Sequence, residues 1–232
     1  MANGARRPGA AGAAGVRTVA LSFHHMNLEQ RHVDALDEAE TLVFHSDFCP
    51  YLELKELFPD AAPLARRRFR LLFTNYYGLN VGGLTETFKD RFFEILFSGN
   101  VVVNDKPDFA TILNELCAIP RKKGDCAMQF SFVSKLVAMH LESGPIYDRH
   151  VLTFFGQEVP ARSVGNDSRI AWFIGFLRDV ASDYSTWAHD DRVIPIVNRL
   201  KTRDRRLGHC HVIRLLDFLV WKVGNQKLLK LL

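Results

Sequence analysis

The sequence predicts a mainly α protein, and three observations support this fold class. The chain has 232 residues, 47% of them hydrophobic and 18 of them Phe, which is enough to bury a sizeable core. Apolar residues recur at three- and four-residue spacing along most of the chain, as they do on the buried face of a helix. Glycine and proline interrupt this pattern at intervals typical of helix ends. We therefore expect about nine helices in a two-lobed helical domain.

The elements are expected in the following order. Residues 1–17 are rich in Ala, Gly and Arg and are expected to form a disordered tail, whereas residues 18–232 are expected to form the helical domain. Short, mostly apolar runs at 19–23 and 101–105 are the two strand candidates. The predicted helices span about 28–45, 62–77, 85–98, 107–118, 128–143, 147–156, 167–187, 191–202 and 209–223.

Missing motifs exclude several classes of protein. The four cysteines lack CxxC spacing, which predicts reduced thiols, and no histidine pair has the spacing of metal ligands. The chain contains no Walker loop and no GxGxxG, GxSxG or HExxH motif. No apolar run approaches the ~20 residues that span a bilayer. We therefore expect a cytoplasmic monomer with no metal, no cofactor and no membrane partner.

Basic residues are clustered more strongly than the net charge suggests. The formal charge is +4, and Arg6, Arg7 and Arg17 of the tail supply three of these charges. The body of the chain carries dense basic groups at 66–70, 121–123 and 199–206. One such group is usually a solvated face, but three in an otherwise balanced chain favour a phosphate-binding surface.

The most informative stretch runs from Gln129 to Val151. A mostly apolar segment at helical spacing ends at Gly144-Pro145, because proline disfavours helix before it and cannot donate a backbone hydrogen bond. Asp148 then stands where the N-cap or first turn of the next helix is expected. Asp148 is either a plain N-cap or a carboxylate held at a helix start for chemistry.

The surrounding residues resemble a known family. A basic turn with one glycine (118–129, AIPRKKGDCAMQ) joins two predicted helices, and a Pro-Ile-Tyr-Asp-Arg-His-Val segment follows. Over about 108–156 this order resembles the helix-hairpin-helix DNA glycosylases, with a degenerate hairpin that has fewer glycines than the family pattern. The resemblance implies that Asp148 performs the chemistry and that Arg121, Lys122, Lys123 and Gly124 grip a DNA phosphate.

Two further residues bear on the reaction type that the resemblance implies. Gln129 occupies the register of the lysine with which some members of the family form a Schiff base. Lys135 lies on the same predicted helix, in a narrow polar stripe with Ser131 and Glu142 amid apolar residues. Lys135 therefore faces either solvent or the cleft, and an additional lyase activity depends on which.

A second segment, 74–84, carries rings and amides into a glycine-bearing loop. Asn75, Tyr76 and Tyr77 are the residue types that stack on and hydrogen-bond to an extruded base, and Tyr147 and Gln129 are candidates for the same pocket. The alternative is a helix C-cap with packed tyrosines. Arg67 and Arg70, on the preceding basic helix, are candidates to contact the DNA backbone.

The sequence thus supports three hypotheses. The first is a monofunctional, hydrolytic DNA glycosylase that excises a damaged or modified base from double-stranded DNA, in repair or in defence against phage with modified DNA bases. The second is a non-catalytic helical DNA- or RNA-binding protein. The third rests on Arg203 and His209, whose Arg-x5-His spacing resembles the motif of HEPN ribonucleases.

Overall fold

The computed structural model describes residues 25–81, 83–103 and 106–230. Within these ranges the protein is mainly helical, as predicted, with ten α-helices and a two-stranded hairpin. The helices are α1 Gln30–Leu42, α2 His45–Leu57, α3 Pro63–Tyr76, α4 Glu86–Ser98, α5 Phe109–Cys117, α6 Phe130–His140, α7 Arg149–Phe154, α8 Asn166–Trp187, α9 Ile194–Arg203 and α10 Val212–Gln226. Short 3-10 turns lie between α7 and α8 at Arg162–Val164, between α9 and α10 at Arg205–His209, and after α10 at Leu228–Lys230.

The described residues form one helix more than the roughly nine predicted, because α2 was not among the predicted helices. Helix α2 contains Pro50 in its second turn, and an internal proline normally ends or kinks a helix. Here Phe48, Tyr51 and Leu52 are buried, and this burial offsets the lost backbone hydrogen bond. The carboxylate of Asp47 accepts a hydrogen bond from the Phe44 N–H at 2.9 Å, which starts the helix.

The strand candidates had different outcomes. Val102–Val103 pairs antiparallel with Lys106–Pro107, so the candidate at 101–105 forms one side of a small hairpin. The candidate at 19–23 and the predicted disordered tail at 1–17 lie outside the described residues. No described helix is both long enough and apolar enough to cross a bilayer.

Helix α10 lies at the centre of the structure and packs against α1, α7, α8 and α9. Its contact with α7 is unusually close at Gly224, where an added Cβ atom would lie 2.1 Å from the backbone oxygen of His150. Only glycine permits this approach. Since α7 begins immediately after Asp148, the contact fixes the position of that carboxylate relative to α10. The buried side chains form one continuous cluster, and the two-lobed division stays a prediction.

Candidate functional site

A pocket of about 420 Å³ lies between five segments of the chain. Its walls come from the start of α2, the end of α3, the middle of α6, the loop into α7, and α10. The lining residues are Ser46, Asp47, Tyr51, Asn75, Tyr76, Tyr77, Gly78, Lys135, Ile146, Asp148, Arg149, His150, Val151, Arg214, Asp217, Phe218 and Trp221. The pocket therefore brings together five of the residues selected from the sequence, namely Asn75, Tyr76, Tyr77, Lys135 and Asp148.

Asp148 is the N-cap of α7, in extended conformation with φ −146° and ψ 157°. Its Oδ1 accepts a hydrogen bond from the His150 N–H at 3.0 Å, which satisfies one of the free donors at the helix start. The other oxygen, Oδ2, lies 3.8 Å from the Lys135 Nζ in the pocket. The carboxylate thus caps the helix with one oxygen and presents the other to the cleft.

Lys135 faces the cleft, which settles the choice between cleft and solvent that the sequence leaves open. Its side chain is only 11% exposed, and its Nζ donates a hydrogen bond to Ser131 Oγ at 2.9 Å. The ammonium group also lies 5.2 Å from the centre of the Tyr77 ring. Burial lowers the pKa of Lys135, and the neighbouring Asp148 carboxylate opposes this shift. A lysine in this position is more readily deprotonated than one in water.

A buried ion pair on α10 holds the loop that leads to Asp148. Arg214 Nη1 lies 2.5 Å from Asp217 Oδ2, and Arg214 Nη2 donates to the Gly144 carbonyl oxygen at 2.8 Å. Asp217 Oδ2 also accepts a hydrogen bond from the Ile146 N–H at 2.9 Å. Burial raises the pKa of Asp217 to about 7, with Arg214 opposing the shift. We call Arg214 and Asp217 the loop clamp.

Sequence reasoning missed the loop clamp and the contribution of α2 to the pocket. The sequence does contain a signal for the clamp. Arg214 and Asp217 lie three residues apart in the apolar first half of α10, where two unpaired charges would be costly. The contribution of α2 could not be inferred from the sequence, because the internal Pro50 argues against a helix in this segment.

The tyrosines of the pocket are fixed by different contacts. The Tyr76 hydroxyl donates a hydrogen bond to the backbone oxygen of Asp47 at 2.8 Å, which ties the end of α3 to the start of α2. The Tyr77 ring packs against Tyr76 and Phe73. Burial raises the pKa of both Tyr76 and Tyr77, so both remain neutral phenols. Asn75 is exposed at the rim.

Two predicted pocket residues lie outside the pocket lining. Tyr147 is buried on the opposite side of the chain, where its ring packs against Phe130, Phe173 and Phe176, and burial raises its pKa to about 12. Gln129 is the N-cap of α6 and is absent from the lining. The assignment of these two residues to a base pocket is therefore corrected: Tyr147 belongs to the core, and Lys135 rather than Gln129 lies beside Asp148.

The predicted phosphate-gripping turn connects α5 to α6, but the backbone N–H groups of Lys122 and Gly124 are already occupied. The Gly124 N–H donates to the Arg121 oxygen at 2.8 Å, and the Lys122 N–H donates to the Gly83 oxygen at 2.8 Å. The Arg121 guanidinium pairs with Asp125. A grip by the backbone amides of Lys122 and Gly124, which the hairpin resemblance implies, is not possible in this conformation. The side chains of Lys122 and Lys123 are exposed.

The other basic groups are partly neutralised within the chain. Arg70 pairs with Asp90 and lies 4.8 Å from the Phe93 ring, whereas Arg67 is exposed and forms no ion pair with any described residue.

In the third basic group, arginines pair with the acids of neighbouring helices. Arg199 and Arg203 both pair with buried Glu40, at 3.1 and 2.7 Å, and so hold α9 against α1. Arg203 also donates to the Val43 backbone oxygen. Because its guanidinium is engaged in helix packing, the geometry does not favour the ribonuclease hypothesis.

Among the described residues, no group of three His, Cys, Asp or Glu is arranged to hold a metal ion.

Comparisons with known proteins identify no relative of this chain. No protein-family model matches this chain, and no curated protein and no solved structure matches it either.

Proposed function

We propose that this protein is a DNA N-glycosylase that acts through Asp148 and Lys135. The observation that carries the proposal is a buried lysine amine 3.8 Å from the free oxygen of a helix-capping carboxylate, inside a pocket lined by tyrosine rings. A pocket of about 420 Å³ is within the size range of small-ligand sites and can accommodate one extruded base.

The carboxylate suits the charge that develops in this reaction. Breaking an N-glycosidic bond builds positive charge on the sugar, and an anionic oxygen held beside the sugar stabilises that charge. In a hydrolytic route, Asp148 takes a proton from a water molecule whose oxygen attacks C1′ of the sugar. The bonding electron pair leaves with the base, which then takes up a proton.

The position of Lys135 favours a second route in which the amine is the nucleophile. A desolvated lysine with a lowered pKa is activated for attack. Its nitrogen forms a bond to C1′, the N-glycosidic bond breaks with its electron pair on the base, and Asp148 accepts the proton that the nitrogen loses. The sugar ring then opens: the C1′–O4′ bond breaks, O4′ takes the proton back from Asp148, and a protonated imine forms between Lys135 and C1′. This imine is hydrolysed by water or undergoes elimination with strand cleavage.

The base itself would contact the wall of the pocket formed by α2 and α3. The Tyr77 ring can stack on the base, and the Asn75 amide at the rim can hydrogen-bond to it. Asp47 lines the same wall, and its Oδ2 is held by the Lys222 Nζ at 2.8 Å. Its Oδ1 makes no hydrogen bond to any described residue and can accept one from an N–H group of the base.

Base release tests the proposal. Duplexes that carry different damaged or modified bases are incubated with the protein, and the free base is identified by mass, which also separates repair from defence substrates. Asp148→Asn keeps the helix cap but removes the charge, and we expect it to slow release by about 10²-fold or more. Asp108→Asn is the matched control, because Asp108 caps α5 in the same way outside the pocket.

Borohydride trapping separates the two routes. If Lys135 is the nucleophile, reduction during turnover links the protein covalently to the DNA, and Lys135→Gln abolishes the link. Lys89→Gln is the control, because Lys89 has nearly the same exposure, 12% against 11%, and lies outside the pocket. Base release without trapping supports the hydrolytic route. Salt-sensitive binding with no release from any duplex would leave only the non-catalytic hypothesis.

A further inference from the structure

A second, open groove adjoins the pocket. It has a volume of about 360 Å³ and is lined by Arg149, His150, Thr153, Gly224 and Lys227. Arg149 and His150 line the pocket as well, so the two concavities share a wall. The groove therefore begins directly beside Asp148, the residue that precedes Arg149 in the chain.

The two cations of this groove carry uncompensated charge. Neither Arg149 nor Lys227 forms an ion pair with any described residue, although most arginines of the described chain, such as Arg199 and Arg203, do. Arg149 Nε donates a hydrogen bond to His150 Nε2 at 3.2 Å, which leaves the terminal nitrogens of its guanidinium available. Two unpaired cations at one concave site attract an anion.

The groove is also held in shape. Gly224 packs against the backbone oxygen of His150, so α7 and α10 cannot shift apart or together without disturbing this contact. Lys227 ends α10 in the left-handed conformation, with φ 57°, and its N–H donates to the Val223 oxygen. The cations therefore approach from two elements whose relative position is fixed, as recognition of a single anion requires.

We propose that this groove binds one backbone phosphodiester of the nucleotide whose base occupies the pocket. The inference rests on the proposed function, because it places the sugar at Asp148. A phosphate is bonded directly to that sugar, and the next residue along the chain, Arg149, is the first cation of the groove. The Arg149 guanidinium offers a planar pair of donors to two phosphate oxygens, and Lys227 adds a point charge from the other side.

The test replaces the backbone phosphates one at a time. The ligand is a duplex with a tetrahydrofuran abasic-site analogue, which offers no base to release, and single linkages around the analogue are changed to uncharged methylphosphonate. We expect one linkage adjoining the analogue to weaken binding of the unmodified protein by about 10-fold. The variant Arg149→Ala/Lys227→Ala binds the all-phosphate duplex about 10-fold more weakly than the unmodified protein does. Its affinity does not fall further when that one linkage is made uncharged. Its slope of log K against log salt is smaller by about 0.9, as expected for one phosphate.

The matched control is Lys106→Ala/Arg162→Ala, which removes two exposed cations that line neither concavity. This control keeps its full sensitivity to the one linkage. The proposal is overturned if the groove variant retains the same sensitivity, or if no single linkage matters more than the others. Circular dichroism confirms that each variant is folded.

The groove and the proposed function can fail separately. If binding depends on one linkage through the groove residues but no duplex releases a base, the groove is retained as a nucleic-acid site and the glycosylase proposal is refuted. If a base is released but binding depends on no linkage through the groove residues, the glycosylase proposal is retained and the groove proposal is refuted. No binding to any duplex would refute both.

Discussion

The loop clamp should decide both the stability of the protein and the position of Asp148, and substitutions can separate the two effects. Asp217→Ala leaves Arg214 as an unpaired charge in the core and removes the acceptor of the Ile146 N–H. Breaking a buried ion pair by deleting one partner costs about 3–5 kcal/mol. For a protein of this size each kcal/mol lowers Tm by about 2–4 °C, so we expect a fall of about 6–20 °C in thermal unfolding.

The double variant Arg214→Met/Asp217→Leu tests the reason for this loss. It removes both buried charges and fills the space with apolar atoms, so much of the lost free energy of unfolding should return. It does not restore the partners of the Gly144 oxygen and the Ile146 N–H, so the loop into α7 remains released. Because a displacement of about 1 Å can cost 10²-fold in rate, base release should stay low although stability recovers.

Two results would refute this reasoning. If Asp217→Ala costs less than about 1 kcal/mol in urea unfolding, the ion pair does not stabilise the core as described. If the double variant recovers base release together with stability, the clamp does not position Asp148. Asp204→Ala serves as a control, because Asp204 caps the 3-10 turn before α10 and lies outside the pocket.

Three further outcomes follow from the contacts around the pocket. Gly224→Ala should destabilise the protein by about 1–3 kcal/mol in urea unfolding, because the new methyl group meets the His150 oxygen; a neutral effect would mean that α7 and α10 separate freely. Tyr76→Phe should cost about 1 kcal/mol in the same assay by removing the hydrogen bond to the Asp47 oxygen, and a cost near zero would show that this bond contributes nothing. If Lys135 is the nucleophile, the single-turnover rate of borohydride trapping should rise with pH as the amine loses its proton. Because the pKa of Lys135 is lowered, this rise should level off below the ordinary lysine value of about 10.4; a rate that is flat with pH would contradict the lysine route.

The local features of the site could be predicted from sequence because short-range rules determine them. Helix α6 ends at His140, a few residues before Gly144-Pro145, and Asp148 caps the following helix, as the preferences of helix ends require. Tyr147, a candidate for the pocket, directly precedes Asp148 in the chain. In an extended segment neighbouring side chains point to opposite faces, and this geometry sends Tyr147 into the core while Asp148 faces the cleft.

Features that depend on packing between distant segments could not be predicted in this way. Lys135 lies on a polar stripe of its helix, and only the positions of α3 and α10 show that this lysine faces a pocket instead of water. The ion-pair partners of the basic groups also depend on packing between distant segments. The sequence shows the positions of Arg70 and Arg203 but does not show that Asp90 and Glu40 neutralise them from other helices.

The distribution of the pocket walls along the chain has a practical consequence for finding ligands. Residues from Ser46 to Trp221 contribute to one cavity, so the cavity exists only while the domain as a whole is folded. A molecule that binds there binds the native state alone, and it stabilises that state by about 2.7 kcal/mol when present at 100 times its Kd. Thermal-shift screening of nucleosides and short oligonucleotides can therefore identify what the cavity accepts before any reaction has been observed.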